Sequence, residues 1–132
     1  MLRKVLFTIL LILASNNAIA GKNFKCVVLD ANILSDTGLL ERNKISKIYL
    51  NREFIVDRET GKMIGEVSNT NSGFKPKVYD VLPSENGYKA ITIYSPHPTV
   101  DYLQIKEYVE GREKPFFFTT GSIIMSGNCV YF

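Results

Sequence analysis

A chain of 132 residues with 16 basic and 13 acidic side chains has room for one domain. Its formal charge of +3 is too small for a broad electrostatic footprint on nucleic acid. One histidine, with two cysteines that read as a disulfide, makes a zinc site of three or four protein ligands unexpected and leaves one imidazole for any nucleophilic triad.

Residues 1–20, MLRKVLFTILLILASNNAIA, have the layout of a cleavable export signal. Arg3 and Lys4 supply the positive start, Val5 to Ala14 the apolar run, and Ala18 and Ala20 the small residues before the cut. A membrane anchor needs roughly 20 apolar residues, and this run is broken earlier by Ser15-Asn16-Asn17. A lipoprotein needs a small-residue box directly before its cysteine, whereas Phe24-Lys25 precede Cys26. The expected product is one exported domain, residues 21–132, periplasmic or secreted, with no transmembrane segment. Loss of Arg3 and Lys4 leaves it close to neutral, so nucleic acid is not an expected partner. The bases of 41–62 are interleaved with Glu41, Glu53, Asp57 and Glu59, as on a solvated surface.

In an oxidising compartment, Cys26 and Cys129 read as a disulfide between the first and last strands. There is no CxxC to suggest a redox or metal-bound pair.

Strand signals dominate the mature chain. Phe24–Leu29 is a first strand, and Ser35–Gly38 a turn before Leu39-Leu40. Lys47–Leu50 and Glu53–Arg58 look extended, and Glu59–Lys62 is a tight turn into Met63-Ile64. Ser68–Gly73 is loop-like. Lys77–Leu82 and Tyr88–Tyr94 flank Ser84–Gly87, where Asn-Gly is the strongest hairpin signal in the chain. Pro96-His97-Pro98 ends that strand. Tyr102–Val109 and Pro115–Thr119 flank a second hairpin turn at Glu110–Glu113. Thr120-Gly121 leads to Ser122–Met125, and Gly127-Asn128 to Cys129–Phe132.

Two stretches compete as helix. Leu39–Leu50 has a poor apolar stripe, and Asp101–Val109 fits an alternating strand interrupted by Glu107. The expected fold is all-β: a single antiparallel sandwich or barrel of about seven to nine short strands.

Catalytic signals are sparse. His97 sits between two prolines in an exposed connection, and Gly-x-Ser-x-Gly is absent. Asp57, Glu59, Asp80, Asp101 and Glu107 are the carboxylates a glycosidase-like mechanism would draw on. Asp30, Asn32, Asp36 and Gly38 suggest an oxygen-rich loop, but Ile33-Leu34 intrudes, so a turn explains them better than calcium. No catalytic or metal-ligating set and no cofactor is expected.

Aromatic side chains stand out instead. Tyr88, Tyr94, Tyr102 and Tyr108 fall on adjacent expected strands, and in Phe116-Phe117-Phe118 the middle ring must face away from the core. The candidate binding surface is therefore Tyr94, Tyr102, Tyr108 and Phe117. The leading function is a non-enzymatic exported β domain of inhibitor, immunity or accessory type. Its partner would be a protein or a small ligand in the cell envelope. A small carboxylate-dependent hydrolase and a structural envelope component are the alternatives.

Overall fold

Alternating apolar residues run through most of this chain, and in the computed structural model they line one concave surface. The structure describes residues 22–80 and 87–132. Residues 1–20, read as an export signal, and the end of the expected Lys77–Leu82 strand with Ser84–Asn86 of the first hairpin turn lie outside the described residues.

The described residues form nine strands: β1 (Phe24–Leu34), β2 (Leu40–Glu41), β3 (Glu53–Val56), β4 (Met63–Gly65), β5 (Lys77–Asp80), β6 (Tyr88–Ile93), β7 (Val100–Ile105), β8 (Lys114–Thr120) and β9 (Ile123–Tyr131). They make one antiparallel sheet in the order β4-β3-β1-β9-β8-β7-β6-β5, with β2 paired to the end of β1. The all-β expectation holds, as one curved half-barrel rather than two stacked sheets. The turn after β3 reaches across to the far edge strands. A Cβ at Gly61 would lie 2.8 Å from Val78 Cγ2 on β5 and 3.1 Å from Ala90 Cβ on β6.

Period-two alternation fills the concave side. Phe24, Cys26 and Val28 of β1 meet Phe54 and Val56 of β3, Tyr88 and Ala90 of β6, Leu103 and Ile105 of β7, Phe116 and Phe118 of β8, and Met125 and Cys129 of β9. Phe117, between two buried neighbours, faces outward as its position in the triplet requires.

Cys26 and Cys129 stand directly opposite each other on β1 and β9, with Cα atoms 4.0 Å apart, and are disulfide-bonded. The expected clasp between the terminal strands is present, across a sequence separation of 103.

Three elements differ from the sequence reading. The 47–50 stretch is not extended, because a short helix, α1 (Lys44–Lys47), occupies its start. Asn43 Oδ1 accepts from the Ile45 and Ser46 N–H groups (2.9 Å each), and Ser46 Oγ accepts from Asn43 N–H (2.9 Å). This reciprocal cap holds a turn that has too few apolar positions to show helical periodicity. Secondly, β7 stops at Ile105, and the turn that follows brings Glu107 inward. Thirdly, Gly127-Asn128 does not break the last strand.

Gly127 instead lets β9 run on past a bulge in β1 between Val28 and Asp30. A Cβ there would lie 1.9 Å from the Val27 carbonyl oxygen and 2.9 Å from Phe116 Cε1. Gly127→Ala is accordingly expected to cost about 1–3 kcal/mol, the usual range for overpacking. Urea denaturation checks this, and an unchanged midpoint would show that the bulge yields freely.

Candidate functional site

The half-barrel has two ends, and the sequence treats them differently. The starts of β1, β6 and β8 lie at one end, together with the close of β3, β7 and β9. There Asp57 organises the turn after β3, its Oδ1 accepting from the Glu59 and Thr60 N–H groups at 3.0 and 3.2 Å. That turn carries Arg58 over the core. The guanidinium donates from Nη2 to Glu107 Oε2 (2.6 Å), from Nη1 to Asp80 Oδ2 (3.2 Å) and from Nε to the Lys22 carbonyl (2.9 Å).

The guanidinium lies 4.7 Å above the centre of the Phe24 ring, within cation–π range. Tyr131 donates to Glu107 Oε2 (2.7 Å), and Tyr88 to the Arg58 carbonyl (2.9 Å). Burial, then the bond to Glu107, pushes the Tyr131 hydroxyl up to about 12. Burial likewise pushes Tyr88 up. Both phenols therefore act as fixed donors at neutral pH. Arg58 supplies the positive charge for two acids, so this end is a plug.

At the opposite end the side chains surround a pocket. The segment after β4 crosses the concave face and is pinned by Asn69. Asn69 Oδ1 accepts from Met63 N–H, its Nδ2 donates to the Gly61 carbonyl, and its own carbonyl accepts from Thr92 Oγ1, all at 2.9 Å. This places Asn71, Ser72 and Phe74 over the end of β6. Tyr94 and Phe74 meet edge to face, with ring centres 5.6 Å apart.

Beneath them Tyr94 donates to Asp101 Oδ2 at 2.6 Å. Asp101 is 3% exposed and sits opposite Thr120 on β8. Burial first, and then this hydrogen bond, raise the Tyr94 hydroxyl to about 12. With Ser95, Thr99 and Gly121, these residues enclose about 380 Å³ open to solvent. That volume falls within the roughly 300–1,000 Å³ of small-molecule sites, and barrel mouths are a common place for them.

The chain matches no protein-family model, no curated protein and no solved structure. Its own side chains must carry any functional reading.

The four aromatic residues singled out in the sequence do not form one surface. Tyr94 lines the mouth pocket. Tyr102 and Phe117 sit on the convex face of β7 and β8, edge to face with ring centres 5.5 Å apart. Ile93 and Val100 lie on the same face, paired across β6 and β7 and both exposed. Tyr108 is exposed in the turn after β7.

The carboxylates considered for hydrolysis do not gather at the mouth pocket. Asp57 builds a turn, Asp80 and Glu107 share Arg58, and Asp101 lies at the other end. Asp30 pairs with Arg42 and accepts from Asn32 Nδ2, and these contacts lower its pKa, the Arg42 hydrogen bond most. His97 is exposed. Among the described residues no three His, Cys, Asp or Glu side chains gather as metal ligands.

The binding surface read from the sequence omits Phe74, and it omits Asp101, which the sequence offers only among the carboxylates of a hydrolase. Asp101 reads as one of several carboxylates along the chain unless β7 is given its register. It then falls between outward Val100 and Tyr102, an acid on the core face. Phe74 reaches the mouth only through the crossing of 66–74, which carries no periodic signal.

Proposed function

We propose that this chain is a non-enzymatic exported β domain that binds a small ligand, or a side chain of a partner, in the mouth of its half-barrel. The observation that carries the reading is the Tyr94–Asp101 pair beneath Phe74, a buried polar couple facing an open pocket of about 380 Å³. Support for export comes from the signal-like residues 1–20 and the Cys26–Cys129 bridge. Asp80 and Glu107 come together but are engaged by Arg58, and Asp101 faces the pocket without a second acid among the described residues. This supports binding over hydrolysis, because general acid–base work needs two carboxylates flanking one bond.

Amide-resolved NMR with a small-molecule fragment library tests the site. Binders should shift signals within 71–74, 92–101 and 119–121. Shifts confined to Tyr102, Phe117 and their convex-face neighbours would overturn the mouth in favour of a protein-docking face. An absence of binders at the mouth would also overturn it.

A further inference from the structure

We infer that the mouth pocket selects an organic cation, a primary ammonium or guanidinium group presented on an alkyl chain. This rests on the mouth being the binding site, and it adds the charge of the ligand.

The argument comes from comparing the two ends of the half-barrel. Each buries an acid at the end of the concave face, Glu107 at one and Asp101 at the other. Each acid accepts from a tyrosine hydroxyl, Tyr131 at 2.7 Å and Tyr94 at 2.6 Å. At the Glu107 end the chain provides its own cation, Arg58, stacked over an aromatic ring. At the Asp101 end no side chain among the described residues forms such an ion pair. Among the described residues the ion pairs are Arg42–Asp30, Arg52–Glu66, Arg58–Asp80 and Arg58–Glu107.

A carboxylate held out of water is costly unless an opposite charge and hydrogen bonds compensate it. Tyr94 contributes a hydrogen bond and no charge. Among the described residues the rest of the pocket wall is uncharged, from Asn71, Ser72 and Phe74 to Thr99 and Thr120, so Asp101 is the formally charged group there. An anionic ligand would be repelled there, and a neutral apolar one would leave Asp101 uncompensated. A cation gains the carboxylate, the hydroxyl and carbonyl acceptors of the rim, and the π faces of Phe74 and Tyr94. The pocket thus repeats the Arg58 arrangement, acid, tyrosine and aromatic ring, with the cation left to the ligand.

The test is titration of the oxidised protein, followed by NMR at Asn71–Phe74 and Tyr94. The probes are Nα-acetyl-lysine amide, Nα-acetyl-arginine amide, putrescine, and the neutral isostere Nα-acetyl-norleucine amide. At least one cationic probe should bind saturably, with the isostere about tenfold to a hundredfold weaker, as loss of a charged hydrogen bond implies. Preference for the acetylated amino-acid amides would point to a side chain of a protein partner, and preference for putrescine to a free amine. Both support the inference.

Asp101→Asn should abolish the preference for charge. Should that variant fail to fold, two other measurements decide. Raised ionic strength should weaken the wild-type complex, and Phe74→Leu should weaken cation binding several-fold. Equal binding of the isostere, or affinity indifferent to both Asp101→Asn and salt, would overturn the cation while leaving the mouth as a site. No response from any probe or fragment would overturn both.

Discussion

Replacing Arg58 with methionine is expected to destabilise the protein by roughly 3–5 kcal/mol, the range for removing one partner of a buried ion pair. The side chains of Arg58 and Glu107 are 11% and 4% exposed, so neither charge is well served by water. Methionine keeps most of the volume over Phe24 but, among the described residues, leaves Glu107 with Tyr131 as its side-chain hydrogen-bond partner and no opposite charge. It also removes the donor to the Lys22 carbonyl, loosening the strand entry. Equilibrium urea unfolding measures the loss, and Arg52→Ala is the internal control. The Arg52–Glu66 pair is half-exposed on both sides and should contribute far less. Equal losses from the two substitutions would show that the plug adds nothing beyond an ordinary surface pair. Adding Glu107→Gln to Arg58→Met should recover part of the deficit, since it removes the orphaned charge and keeps an acceptor for Tyr131.

The second large effect belongs to the disulfide. Unfolding and reducing the protein, then refolding it with Cys26 and Cys129 as thiols, is expected to lower stability by roughly 2–5 kcal/mol. Both sulfurs are buried, so a reductant gains access mainly when the sheet opens. The bridge joins facing residues of the longest ladder, between β1 and β9, near the end where Phe24 pairs with Tyr131. The ladder holds the two strands together in the folded state, and the cross-link acts mostly by restricting the unfolded chain across its 103-residue separation. The reduced protein should therefore retain its far-ultraviolet β signature in the absence of urea and unfold at a lower concentration. A midpoint that does not move would show that the ladder alone sets the stability.

Much of the architecture was legible in the chain because β structure writes its pattern at short range. Phe116-Phe117-Phe118 fixed which ring faces out, the cysteines fixed the partner of the first strand, and the prolines at 96 and 98 marked the end of β6. Features set by distant contacts were harder to read. Gly127 resembles a strand breaker until the β1 bulge it accommodates is known. Glu107 looks like an interruption of a strand until Arg58 arrives from the turn after β3, 49 positions away. Tyr94 was picked out for its ring, yet its hydroxyl defines the site by holding Asp101, a pairing that depends on the register of β6 against β7. Asn43-Lys44-Ile45-Ser46 carried a local signal for α1 in its capping residues that hydrophobic periodicity does not register.

The clasp between β1 and β9 also determines where the protein can be handled. Phe132 N–H donates to the Asn23 carbonyl at 2.9 Å, so Phe132 sits beside the start of the first strand, at the Arg58 end. A dye, a surface tether or a fused reporter joined after Phe132 would project away from the mouth. An attachment placed after Phe132 would thus hold the protein with the Tyr94 pocket facing solution, the orientation that surface-based titration of the amine probes requires.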